Sequence, residues 1–171
     1  MDTDGESAHL DFNAAKRDKQ LRGIFERAKM HSLPSRLQDL NRLTVSDSDE
    51  DRLLALLLVR RNLDEIGHDE EYFDFARPMI SDSNNNCRWQ AMIVLGAFID
   101  SMADQVWEVV LEYGNSPDED MRTAVATVLL EHLLDNEAGG YETKAEKLAA
   151  TDHLFADTLN KCWTFSEDRP Q

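Results

Sequence analysis

Apolar residues recur along this chain at helical spacing. Leu21, Ile24, Phe25 and Ala28 fall at i, i+3, i+4 and i+7, one stripe of a helix that Asp11 caps and that runs to about Met30. Pro34 stands where a first-turn proline belongs and opens a short helix through Leu37, Leu40 and Leu43. From there the pattern repeats. Arg52, Arg88 and Arg122 each begin a gap-free aligned stretch, spaced 36 (88 − 52) and 34 (122 − 88) residues apart. Three positions on come Ala55, Ala91 and Val125; seven on, Val59, Leu95 and Leu129; eleven on, Leu63, Ile99 and Leu133. Offsets of 3, 7 and 11 trace one face of a helix.

A polar turn precedes each arginine: Ser46-Asp47-Ser48-Asp49, Asp82-Ser83-Asn84-Asn85 and Asn115-Ser116-Pro117-Asp118. These residues cap helices, and acids near a helix start oppose its dipole. A shorter apolar-periodic stretch comes before each turn: Leu37 to Leu43, Phe73 to Ile80 and Val106 to Tyr113. The predicted unit is helix, tight turn, helix, and a period of about 35 residues marks a helical solenoid.

An apolar helix, a polar turn and then R-x-x-A-x-x-x-L resembles HEAT repeats, particularly the short bacterial form first noted in phycobilin lyases. Asp82, Arg88, Ala91, Leu95 and Gly96 match that form almost position by position. The third unit departs at Val125 and Ser116, and the first has Asp47 shifted by one. The resemblance covers roughly residues 33–136. It implies stacked antiparallel helix pairs with the second helix of each on the concave side, and repeat arginines that pair with a turn aspartate of a neighbouring unit. The fold class expected is all-α: a right-handed α-α superhelix with an N-terminal helix and a C-terminal helical cap.

The boundaries expected are a disordered N-terminus at 1–8, one domain at 9–165 and a tail at 166–171. The repeats fall at about 33–66, 69–101 and 104–136. Gly139-Gly140 breaks the chain before the cap, 141–165, where Leu148, Phe155, Leu159, Cys162 and Trp163 cover the end of the last repeat.

Composition narrows the class. Seven glycines, four prolines and 42% hydrophobic residues suit long helices and a real core. The net charge is −16, and it is uneven: residues 9–42 hold eight bases and four acids (+4), whereas residues 43–171 hold ten bases and 27 acids (−17). The plainest reading is a basic N-terminal helix docked on an acidic body. Such a body repels phosphate backbones and anionic membranes and favours basic partners. Neither a signal peptide nor a membrane-length apolar run is evident, and two isolated cysteines suit a reducing compartment, so a cytoplasmic protein is expected.

Candidate chemistry is sparse. Arg52, Arg88 and Arg122, with Asp82, read as structural repeat positions. Glu131, His132, Asp135 and His153 lack the i, i+4 histidine pair of a helical zinc site, and solvated acids are the plainer reading. Cys87 beside Arg88 suggests a lowered pKa, but packing is the better reading of that thiol. Trp107 and Trp163 fall on core stripes. Trp89, Ile93, Leu53 and Leu57 stand instead where similar repeats carry outward polar residues. Either the Leu21, Ile24 and Phe25 stripe covers them, or they form a partner groove. No catalytic residue, cofactor or metal is assigned, and the expected function is a non-enzymatic protein-binding adaptor or regulator using the concave face. The alternatives are an acidic inhibitor or immunity-type protein against a basic partner and, in another class, a helical-repeat DNA glycosylase or a bilin lyase. Neither nucleic acid nor membrane is an expected partner, and the oligomeric state is open.

Overall fold

The computed structural model describes residues 19, 21–30, 37–66, 69–136 and 139–162. All regular structure among them is helical. The expectations for residues 1–8, Asp11, Pro34, Trp163 and 166–171 lie outside the described residues. No helix among the described residues is long and apolar enough to cross a membrane.

Helix α1 comprises residues 21–30. The first helix pair is α2 (Leu37–Thr44) and α3 (Asp49–Arg61), followed by the short α4 (Leu63–Ile66). The second is α5 (Glu70–Ala76), continued by a 3-10 turn at Arg77–Ser81, then α6 (Asn85–Gly96). The third is α7 (Ile99–Tyr113), then α8 (Glu119–Ala124), a π-helical turn at Val125–Leu130 and α9 (Glu131–Leu134). Last come α10 (Tyr141–Ala149) and α11 (His153–Lys161).

Two of the three polar turns cap the next helix by side chain, whereas Ser48 at the start of α3 makes no such bond. Asn84 accepts from the Asn86 and Cys87 N–H groups, and Asp118 from that of Asp120, satisfying donors that a helix start leaves open. Asp152 accepts from Leu154 and Phe155 at the start of α11 in the same way. The segment expected as a helical cap holds two helices, α10 and α11, with Phe155, Leu159 and Cys162 buried. Helix α3 has three acids in its first turn and two arginines in its last, which suits the helix dipole at both ends.

The second helices follow one another through the fold. Helix α3 packs on α6, α6 on the π-helical turn, and that turn on α11. Leu53 through Val59 are all buried, so α3 is covered on every side. Gly96 lets α6 approach the third pair, because a Cβ there would lie 3.1 Å from the Val128 carbonyl oxygen. The wide turn coincides with Val125, which stands where the first two pairs carry Ala55 and Ala91.

One expectation needs correcting. The face through offset eleven stays on the second helix only at Leu133; Leu63 lies on α4 and Ile99 opens α7. In the second pair the cause is Phe98, 1% exposed and edge-on to Phe73 at 5.8 Å. Burying that ring turns the chain at residues 97–98. At the far end Trp107 packs against Tyr141 (5.5 Å) and Phe155 (6.5 Å), joining the last two pairs in one core.

Candidate partner-binding face and the arginines behind it

The three arginines of the sequence pattern share one contact. The Arg52 Nη1 donates to the Ser46 carbonyl (2.8 Å), the Arg88 Nη1 to the Asp82 carbonyl (3.3 Å) and the Arg122 Nη1 to the Ser116 carbonyl (2.7 Å). Each arginine thus clamps the turn before its own helix, six residues back. Each also reaches an acid of the next pair. Arg52 binds Asp82 through Nε (2.7 Å) and Nη2 (3.1 Å), a fork matched to a carboxylate. The Arg122 Nε and Nη2 both lie 2.9 Å from the Asp157 Oδ2. Arg88 differs: its Nη2 reaches Asn85 and lies 3.4 Å from Asp118, while its buried Nε has no partner.

These contacts set the electrostatics. Burial works against the charged Asp82 carboxyl, but hydrogen bonds from Arg52 and the Asn84 N–H outweigh it and hold its pKa below the usual aspartate range. The Arg122 hydrogen bond does the same for Asp157. Asp82 links two units, since its side chain takes Arg52 while its carbonyl takes Arg88.

In front of these arginines lies the face singled out by its outward apolar residues. Leu53 (4% exposed) and Leu57 (3%) are buried, and α1 lies over them. Trp89 and Ile93, at the equivalent positions of α6, are half-buried. The Trp89 indole Nε1 donates to the Asp120 Oδ2 at 3.0 Å, fixing the ring across α6 and α8. In the third pair Thr123 and Thr127 turn their hydroxyls back onto the Glu119 and Thr123 carbonyls. The apolar strip therefore ends there.

Sequence reasoning missed Asp120 and Asp157. The Trp89–Asp120 and Arg122–Asp157 contacts span 31 and 35 residues, and neither acid carries a pattern that marks it. Asp152 in the last turn resembles the other turn acids more closely, yet it caps α11 and binds Asn115 (3.0 Å).

The remaining candidates are quickly placed. Burial pushes the Cys87 and Cys162 thiols up to about 12, so neither is poised as a thiolate nucleophile. His132 and Asp135 line an open hollow with Asp100, beside Gly96, Ala97 and Ile99. Among the described residues no group of three or more His, Cys, Asp or Glu side chains is placed to hold a metal ion. His153 is exposed at the start of α11. Residues 97–136 carry nine acids and one base (1 − 9 = −8), and that base, Arg122, is buried against Asp157.

No protein-family model matches this chain, and no curated protein or solved structure compared with it matches either.

Proposed function

We propose that this chain is a HEAT-like helical repeat protein of the phycobilin-lyase type, a short right-handed superhelix that binds another protein and catalyses nothing. Its partner meets the face lined by the second helices, with Trp89 as the anchor. The observation that carries this reading is the state of Trp89: half-buried, hydrogen-bonded to Asp120, and continued one turn on by half-buried Ile93. A large ring held in place on an apolar strip loses little conformational freedom when a partner covers it, and tryptophan is enriched at binding hot spots. The shared arginine clamp supports the repeat reading, because one side chain performs one task in three successive units.

The charge favours a basic partner. The third pair's net of −8 adjoins this face and its one base is occupied, so a cationic protein is drawn in and nucleic acid is repelled. An inhibitor of a basic protein is one form this function takes. The test is capture of the partner from cells of the chain's own species by the tagged protein, followed by its Trp89→Ala variant. We expect Trp89→Ala to keep its fold, by circular dichroism, and to lose the partner, while Lys147→Glu, at an exposed position of α10, keeps it. Retention by Trp89→Ala together with loss on Lys147→Glu moves the binding surface elsewhere.

A further inference from the structure

Helix α1 is seated with little of its surface buried. Of its ten residues only Ile24 and Ala28 are buried, Leu21 is half-buried, and Phe25 is 37% exposed. Hollows flank it at both ends. One, of about 90 Å³, lies between Leu21 and Ile24 and the acidic start of α3, Asp49 and Glu50. The other, of about 210 Å³, lies between Phe25 and Ala28 and the end of α3, Leu57 and Arg61. The pairing order, Leu21 to Asp49 and Ala28 to Arg61, makes α1 run parallel to α3.

Two polar ties join adjacent residues of α1, Arg27 and Ala28, to the two ends of α3. The Arg27 Nη1 lies 3.2 Å from the Glu50 Oε2, and the Arg61 Nη1 donates to the Ala28 carbonyl at 2.7 Å. The second is a cation on the late carbonyls of a helix, the favourable end of its dipole. Residues 19–30 carry Lys19, Arg22, Arg27 and Lys29 against Glu26, a net of +3 (4 − 1). Of these bases Arg27 meets the acidic first turn of α3, at Glu50, while Lys29 pairs with Glu26 and lies beside Arg60 and Arg61.

We propose that the α3 face is a seat for a basic amphipathic helix supplied by a partner protein, and that α1 holds this seat in cis. The proposal rests on the partner-binding reading above and names the partner's chemistry. The incoming helix has apolar residues at i, i+3, i+4 and i+7 over Leu53 and Leu57. It has arginine or lysine toward Asp49 and Glu50, and its C-terminal carbonyls meet Arg61. This is the helix-in-groove mode of recognition. The hollow beside Ala28 further implies a larger side chain, such as leucine, at the fourth apolar position of the partner.

The test uses the full chain and a fluorescein-labelled peptide of residues 19–32. Ile24→Asp in the full chain empties the seat, so the peptide binds that variant at least about tenfold more tightly than the wild type, as loss of an intramolecular competitor requires. High salt weakens the binding, and adding Leu57→Asp removes it. Ala28→Leu acts oppositely in the two settings. In the peptide its three extra carbons tighten binding by about tenfold or more, whereas in the chain the same change raises Tm and blocks the peptide. Should Ile24→Asp lose helicity by circular dichroism, Arg27→Glu, on an exposed position of α1, gives the same order of affinities.

Three results overturn the proposal. One is equal or absent peptide binding across wild type, Ile24→Asp and Arg27→Glu. Another is equal binding of a peptide with Arg22 and Arg27 changed to Glu. The third is dimerisation of Ile24→Asp that excess peptide does not reverse, which makes a second copy the occupant. If peptide binding fails while Trp89→Ala still loses a captured partner, only the occupant's chemistry is wrong; if Trp89→Ala also keeps its partner, the binding face itself is wrong.

Discussion

Helices α3 and α6 begin from the same motif and end in different states. In α3 the arginine is forked onto Asp82, and the outward Leu53 and Leu57 lie under α1. In α6 the arginine leaves its buried Nε without a partner, and the outward Trp89 and Ile93 are half-buried. One sequence pattern thus supports a closed unit and an incompletely closed one side by side. The shared motif specifies a helix and its clamp on the preceding turn. What covers the helix, and how well the clamp is completed, depends on residues 30 or more positions away.

The arginines sharpen this comparison with the largest expected effect. Arg52→Ala strands the Asp82 carboxylate, whose side chain is 8% exposed, and costs about 3 kcal/mol, the scale of breaking a buried ion pair. For a chain of this length that lowers Tm by about 9 °C. Arg88→Ala removes a clamp already missing one bond, and a cost of about 1 kcal/mol is expected. Thermal melts of the two variants decide the matter, and equal losses erase the distinction between the two units.

Acid provides the next separation. Asp82 has a depressed pKa in the folded chain, so its contribution is complete above the ordinary aspartate value of 3.8 and fades as pH falls through the folded value. The stability gap between wild type and Arg52→Ala is therefore full at pH 7 and narrows below about pH 4. Denaturant titrations across that range measure it, and a gap independent of pH removes Asp82 from the explanation.

A smaller effect is expected at Trp89→Phe, which keeps a ring but loses the 3.0 Å bond to Asp120. The site is half-buried and water can replace the donor, so the stability cost stays within about 1 kcal/mol. Partner affinity falls further than that, since the ring is then free to swing. A stability loss well above this figure makes Trp89 a core residue.

Much of the helical framework was legible because its signals are local. Turn residues such as Asn84 and Asp118 cap the helices that follow them, and the apolar offsets mark buried positions such as Ala55, Ala91 and Leu129. The stripe Leu21, Ile24, Phe25 and Ala28 was visible too, although Phe25 remains 37% exposed. Three features were not legible, each set by tertiary packing. The turn at 97–98 accompanies the burial of Phe98, and the π-helical turn lies where α6, α7 and α11 converge. The choice of Asp157 over Asp152 by Arg122 depends on how α11 docks. At the candidate face the sequence identified Leu53, Leu57, Trp89 and Ile93 as unusual without deciding which were covered. That decision depends on where α1 lies.

Hydrogen–deuterium exchange of the full chain tests the removable-α1 claim most directly. If α1 is a replaceable occupant of the α3 face, amides of residues 21–30 exchange through local opening at least about 100-fold faster than those of residues 53–59, since local stability ranges from near zero to the global value within one protein. Comparable protection in the two segments, with both exchanging only on global unfolding, makes α1 a permanent part of the core and contradicts the claim that it holds a partner's place.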